Sequence, residues 1–237
     1  MNLDEGYQFG LGAFETIAVK NRKALFLDDH IRRINNTLDF LEIEKKITND
    51  MVNDYMRNID KEYYALKLMV SEKNTIISTR DISYTKEQYE KGFKLGISEV
   101  RRNNTSPFTY HKTFNYGDCI VQKRRALKEK IDDMIFLNHL DEICECSTSN
   151  IFFVKDNRLF TPKLSCGLLP GIIREFIRDT YKASEVTISI DEIDGYDECF
   201  VTNSLLGIMP VLAIGEHVFS SREYTDYLLK VFINNTF

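Results

Sequence analysis

Lys112 lies in Phe108-Thr-Tyr-His-Lys112-Thr-Phe-Asn-Tyr116, among aromatics and with no carboxylate beside it. Most other lysines keep charged company, as in Lys123-Arg124-Arg125 or Lys128-Glu129-Lys130. Desolvation favours the uncharged amine, which is a nucleophile and condenses with carbonyl compounds. The plainer alternative is a lysine whose stem packs on aromatics while its tip stays wet. Glu145 stands in a similar frame, Ile143-Cys-Glu145-Cys-Ser-Thr-Ser-Asn150-Ile-Phe-Phe153. A buried carboxylate needs a partner because an unpaired buried charge is costly, and a protonated ring nitrogen would serve. The alternative is a glutamate facing solvent on an edge strand.

Three further segments suit an anionic ligand. Gly167-Leu-Leu-Pro170-Gly171-Ile-Ile-Arg174 opens a helix, and the first amides of a helix have no partner within it, so they seat phosphate well. A simple helix start explains the same residues. Thr202-Asn203-Ser204, at the end of a strand, adds hydroxyl and amide groups, and Arg33 on an early helix adds a positive charge. A solvated helix face accounts for Arg32-Arg33 equally well. Gly10-Leu-Gly12 is not a dinucleotide fingerprint, and no GxxxxGK[ST] loop occurs. Each segment alone is weak. In order, an imine-forming lysine, an acid for a ring nitrogen and several phosphate seats are the parts that pyridoxal phosphate requires.

The elements that must position these groups follow from periodicity and turn residues. Strands are expected over 13–20 and 24–27, around the turn Asn21-Arg22-Lys23. A helix over 29–41 follows from Ile31, Ile34, Leu38 and Leu41 on one face, with Asp28 and Asp29 as its cap and first-turn charge. A second helix is expected over 49–58, then strands over 64–71, 75–80 and 93–100. Beyond the linker-like Arg102-Asn-Asn-Thr-Ser-Pro107, a helix is expected over 116–128, then short strands over 134–138, 143–146, 151–154 and 159–161. A helix after Gly171, strands over 186–190, 199–202, 209–213 and 217–219, and a closing helix from Ser220 complete the pattern. This order of helices and strands indicates a two-domain α+β chain. Residues 1–102 would form a small α/β sandwich and 103–108 a loop between the domains. Residues 109–237 would form a larger barrel-like β domain flanked by helices.

Composition narrows the class. The 237 residues are 43% hydrophobic and 28% charged, ordinary for a folded chain and against global disorder. A net charge of −5 argues against a broad nucleic-acid footprint. The weakly polar run Leu205–Gly215 is broken by Gly207 and Pro210 and is too short for a membrane span. The acidic start, MNLDEGYQFG, lacks a signal pattern, so a cytoplasmic location is expected. Five cysteines without a CxxC pair read as free thiols of a reducing compartment. The four scattered histidines have no metal-ligand spacing, and no metal site is expected.

The chain resembles the fold-type IV, or class IV aminotransferase, pyridoxal-phosphate enzymes. That family includes branched-chain and D-amino-acid aminotransferases and 4-amino-4-deoxychorismate lyases. The resemblance runs in order through Gly6-Tyr-Gln-Phe-Gly-Leu-Gly-Ala-Phe-Glu-Thr16, Asp29-His-Ile-Arg-Arg33 and His111-Lys-Thr-Phe-Asn-Tyr116. It continues through residues 145–153, Leu169-Pro-Gly-Ile-Ile-Arg174 and Val201-Thr-Asn-Ser204. It implies that Lys112 is the imine-forming lysine and proton shuttle, and that Glu145 meets the pyridine nitrogen. It also implies that Arg33, the amides of Ile172 and Ile173, and Ser204 hold the phosphate. The family's two domains enclose the cofactor, and its members are homodimers.

The resemblance also bears on the substrate, a small amine or amino acid. Branched-chain aminotransferases carry aromatic-x-Arg where this chain reads Ala65-Leu66-Lys67, whereas lyases have Leu-Lys there, an Arg nearby and an Asn after the late strand. Lys67, Arg80 and Asn203 are similar to the lyase set, and two cations suit a substrate with two carboxylates. The implied reaction converts 4-amino-4-deoxychorismate to 4-aminobenzoate and pyruvate, a step of folate biosynthesis. Transamination of branched-chain or D-amino acids is the alternative. Members usually carry an N-terminal hairpin before the segment matching Asp4-Glu-Gly-Tyr7, so the small sheet is expected to lack edge strands, with an effect on its dimer contacts.

Overall fold

Alternating apolar residues build the first sheet, which presents one side to helices. The computed structural model describes residues 2–236. A short helix α1 (Glu5–Phe9) leads into β1 (Gly12–Lys20), β2 (Lys23–Ala24), α2 (Leu27–Phe40), α3 (Asn49–Met56), β3 (Tyr63–Ser71) and β4 (Thr75–Arg80). The strands form an antiparallel sheet in the order β2-β1-β3-β4. Ala13, Ile17 and Val19 of β1 pack with Tyr64, Leu66, Leu68 and Val70 of β3 against Ile31, Ile34 and Leu38 of α2 and Val52 and Met56 of α3. Residues 24–27 are not the strand expected from sequence. β2 ends at Ala24, and Phe26 takes a left-handed conformation (φ 54°) as the N-cap of α2 without a side-chain cap, leaving Asp28 and Asp29 inside the first turn. α3 is capped by Thr48, whose hydroxyl accepts from the Met51 amide.

The second unit is built on α4 (Lys86–Lys91), β5 (Phe93–Ile97), α5 (Gly117–Lys128), β6 (Asp133–Leu137), β7 (Ile143–Cys146), β8 (Asn150–Lys155) and β9 (Arg158–Pro162). It continues through α6 (Ile172–Tyr181), β10 (Ser184–Val186), β11 (Glu198–Asn203), β12 (Gly207–Ile214), β13 (His217–Val218) and α7 (Glu223–Thr236). Its strands join in one curled sheet, β10-β9-β8-β11-β12-β5-β6-β7, with β13 beside β12. The core holds Phe93, Ile135, Ile151, Phe153, Val201 and Met209. The five cysteines are free thiols and buried.

The division of the chain differs from the sequence expectation of 1–102, 103–108 and 109–237. The small unit comprises residues 1–83 and 111–116, and the large unit 84–110 and 117–237. The reason is pairing between distant segments. β5 joins β12 and β6 in parallel, which carries the segment around it into the large unit. Residues 111–116 run beside β1 instead, through an Ala13–Thr113 bridge and the bonds Phe14 N–H to Lys112 O (3.0 Å) and Phe114 N–H to Gly12 O (2.8 Å). Among the described residues no helix is long and apolar enough to cross a membrane.

Candidate active site

Side chains of a strand alternate between faces, and directly paired residues on neighbouring strands share a face. The face of the small sheet turned away from α2 and α3 therefore carries three cross-strand rows. They are Phe14–Met69–Ile76, Thr16–Lys67–Ser78 and Ala18–Ala65–Arg80. Lys112 enters this face from the segment beside β1. Its Nζ lies 4.4 Å from the Phe14 ring centroid and 4.8 Å from that of Tyr116. Lys67 Nζ lies 5.0 Å from the same Phe14 ring. Gly12 is needed here because a Cβ on it would strike the Phe114 ring. Burial lowers the Lys67 ammonium pKa and the nearby Arg80 guanidinium lowers it further. The structure thus brings together Lys112, Lys67 and Arg80. At the apolar end of this face, Met69, Ile76, Tyr7 and Phe114 line a cavity of about 140 Å³.

Glu15 belongs to the opposite, helix-covered face and is fully buried. Arg33 grips it with two bonds, Nε to Oε1 and Nη2 to Oε2, both 2.7 Å, and His30 Nδ1 sits 2.7 Å from Oε2. Burial alone would raise the Glu15 carboxyl, but Arg33 and His30 outweigh it and hold the group well below the usual carboxylate range. Burial lowers the His30 pKa; Glu15 opposes this, and Arg33 and Lys112 reinforce it. Arg33 is therefore oriented by a carboxylate that the sequence reading did not connect to it.

In the large unit Glu145 is 5% exposed, so the solvent-facing alternative does not apply. Its Oε1 accepts from Arg102 Nη2 at 2.8 Å, and its Oε2 accepts from the Leu169 amide at 3.2 Å and from Asn150 Nδ2 at 3.4 Å. Asn150 also donates to the Leu169 carbonyl at 2.9 Å. Leu169 leads into Pro170-Gly171 and α6, whose N-cap Gly171 has no side-chain cap. A Cβ on Gly171 would land on Asn150 Oδ1. One network thus links the acid to the start of α6, where the amides of Ile172 and Ile173 lack acceptors within the helix. Thr202 pairs with Asn150 across β11 and β8, and among the described residues its buried Oγ1 has no hydrogen-bond partner. Ser204 follows two residues later and is partly buried.

The Asn203 side chain is held by backbone bonds. Its Oδ1 accepts from the Leu205 and Leu206 amides, both at 2.9 Å, and its Nδ2 donates to the Thr148 carbonyl at 3.2 Å and lies 3.4 Å from Tyr84 Oη. These bonds shape the turn between β11 and β12. The loop from β7 to β8 is shaped by Asp133, fully buried, which accepts from the hydroxyls of Ser147, Thr148 and Ser149. Arg102, Asn150 and Asp133 were not singled out by sequence. Burial raises the pKa of Cys144 and that of Cys166, the latter to about 11, so neither is poised as a nucleophilic thiolate.

In the small unit an amine among aromatic rings, and in the large unit a clamped buried carboxylate, an uncapped helix start with no room for a Cβ and a buried hydroxyl near it, are each groups that suit pyridoxal phosphate. Fold and site define a fold-type IV pyridoxal-phosphate enzyme. The model of the family described as amino-transferase class IV matches residues 12–214, and the chain belongs to that family. It is 26% identical to the aminodeoxychorismate lyase of Bacillus subtilis (strain 168), over 92% of this chain and 83% of that one. It is 27% identical to a Thermotoga maritima protein named a probable branched-chain-amino-acid aminotransferase, over 89% of this chain and 80% of the relative. The branched-chain amino acid aminotransferase structure from Escherichia coli superposes with a TM-score of 0.86 over 99% of this chain and 88% of its own, at 20% identity, a likeness of fold.

Proposed function

We propose that the protein is a lyase that converts 4-amino-4-deoxychorismate to 4-aminobenzoate and pyruvate, the reaction named for the Bacillus subtilis relative. The observation that carries this reading is the placement of Lys67 and Arg80 on the same sheet face as Lys112. Two cations there suit the two carboxylates of this substrate, since charge-assisted bonds to carboxylates are the strong ones. Pyridoxal phosphate, when bound, supplies an electron sink for the substrate amine. Glu145 holds the proton on the ring nitrogen, and Arg33, the amides of Ile172 and Ile173, and Ser204 bind the phosphate. The Lys112 amine takes the ring proton of the substrate as the carbon–oxygen bond to the enolpyruvyl group breaks, and a proton ends on the methyl carbon of pyruvate. Atoms balance without water, and the gain of an aromatic ring supplies the driving force. The protein's share is therefore positioning and proton transfer. Asn203 shapes the loop bearing Ser204. A cytoplasmic homodimer serving folate biosynthesis is part of the same proposal.

A second reading is transamination of a branched-chain or D-amino acid. The apolar row Phe14–Met69–Ile76 and the cavity beside it would accept an aliphatic side chain. Incubation with aminodeoxychorismate, and separately with a panel of amino donors, separates the two. Pyruvate release with no amino acceptor supports the lyase. Product formed only when a keto acid is supplied overturns it in favour of transamination.

A further inference from the structure

We infer that Arg102 is the positioning residue for Glu145, holding that carboxylate charged and aimed so that it accepts from the cofactor's ring nitrogen. The inference rests on the cofactor reading of Glu145. A buried carboxylate without a countercharge is strongly disfavoured, and Arg102 Nη2, at 2.8 Å, supplies that charge. The Leu169 amide and Asn150, which also donate to Glu145, are neutral.

The guanidinium is itself held from several sides. Its carbon lies 4.2 Å from the centroid of Phe136, the residue paired with Glu145 across β6 and β7. The same Nη2 reaches Cys119 Sγ on α5 at 3.1 Å. The backbone beneath it is pinned by Arg102 N–H to the Leu137 carbonyl at 2.9 Å. A planar cation stacked on a ring is fixed in orientation as well as in charge, which a lysine ammonium cannot reproduce. Without Arg102 the carboxylate loses a paired countercharge, while the Leu169 amide and Asn150 that also bond it are neutral, which favours the neutral acid. A neutral acid would donate to the ring nitrogen and leave the ring unprotonated, weakening the electron sink.

The test is titration of the apoprotein with pyridoxal phosphate, followed by visible absorption, for the unaltered chain, Arg102→Met, Arg102→Lys, Glu145→Gln and the double variant Arg102→Met/Glu145→Gln. Thermal unfolding of each apoprotein is recorded alongside. Arg102→Met is expected to weaken cofactor binding by at least about tenfold and to move the absorption band, with Arg102→Lys between it and the unaltered chain. In the Glu145→Gln background the carboxylate is gone, so Arg102→Met should cost no more than about twofold further. That comparison also holds if Arg102→Met alone folds poorly, since no unpaired buried charge remains in the double variant. Binding by Arg102→Met within about twofold of the unaltered chain overturns the inference, as does a penalty of equal size in both backgrounds. Absence of cofactor uptake by the unaltered chain would instead overturn the cofactor reading, and this inference with it.

Discussion

The surroundings of Glu145 in the large unit and the open face of the small sheet solve opposite problems. Around Glu145 each carboxylate oxygen is bonded, and the neighbouring loop from β7 to β8 is tied by three hydroxyls to the buried Asp133. On the small sheet, Lys67 is half-buried and Arg80 is exposed, with its bond to the Asp81 carbonyl a long 3.3 Å. Buried hydrogen-bonded networks fix geometry, and their members are costly to change. Strand positions on an open face are cheap to change, usually within about 0.5 kcal/mol of stability. On the proposed assignment, the group that meets the cofactor's ring nitrogen belongs to the first kind and the cations that sort substrates to the second, which suits a family with one cofactor and several reactions.

The largest effect is expected at Lys112, which lies on the open face and is the proton-transfer group of the proposed reaction. Lys112→Ala should lower turnover by about 10³-fold or more while thermal unfolding stays close to that of the unaltered protein. Turnover within tenfold would remove Lys112 from the chemistry. Next comes Asp133→Ala in the large unit, which strips the Ser147, Thr148 and Ser149 hydroxyls and the Met134 amide of their acceptor. A loss of about 3 kcal/mol in denaturant unfolding is expected, with weaker cofactor retention because the loop before Asn150 loosens. Asp133→Asn should recover part of it, since hydroxyls can turn to meet an amide. An unchanged unfolding midpoint in Asp133→Ala would erase the contrast between the two regions.

Sequence made the chemistry more legible than its supports. Lys112 and Glu145 stood out because each is a charge in an apolar frame, and α2 and α6 because periodicity and Pro170-Gly171 are local signals. Arg102 looked like linker, because nothing near it announces a partner at position 145. β5 read as a strand of the small unit for the same reason, since its parallel partners β6 and β12 come later in the chain. Glu15 sits on the same strand as Phe14 and Thr16, and only knowing which side α2 covers separates the buried carboxylate from the open face. α1 is five residues long and α4 six, too short for apolar periodicity. The α4 start did carry a readable signature, the capping box Thr85 to Gln88.

On the open face, Lys67→Ala should raise KM by about tenfold, as expected for loss of one charge-assisted contact, with little change in unfolding. A fall in stability without a change in KM would move Lys67 from substrate binding to structure. A smaller effect is expected for Arg80→Ala, because an exposed guanidinium is screened by solvent.

A lysine binds a carboxylate only while protonated, and burial together with the Arg80 charge lowers the pKa of the Lys67 ammonium. KM should therefore rise on the alkaline side as the Lys67 proton is lost. Removing the Arg80 charge removes one of the two causes of the lowering, so the Lys67 pKa moves up and the alkaline rise in KM moves to higher pH. Burial, the larger cause, remains, so the shift is partial. A pH profile of KM for Arg80→Ala that coincides with that of the unaltered protein would show that the two cations do not share a ligand site. A shift to lower pH would show that Arg80 supports the charge on Lys67 through a carboxylate held between them.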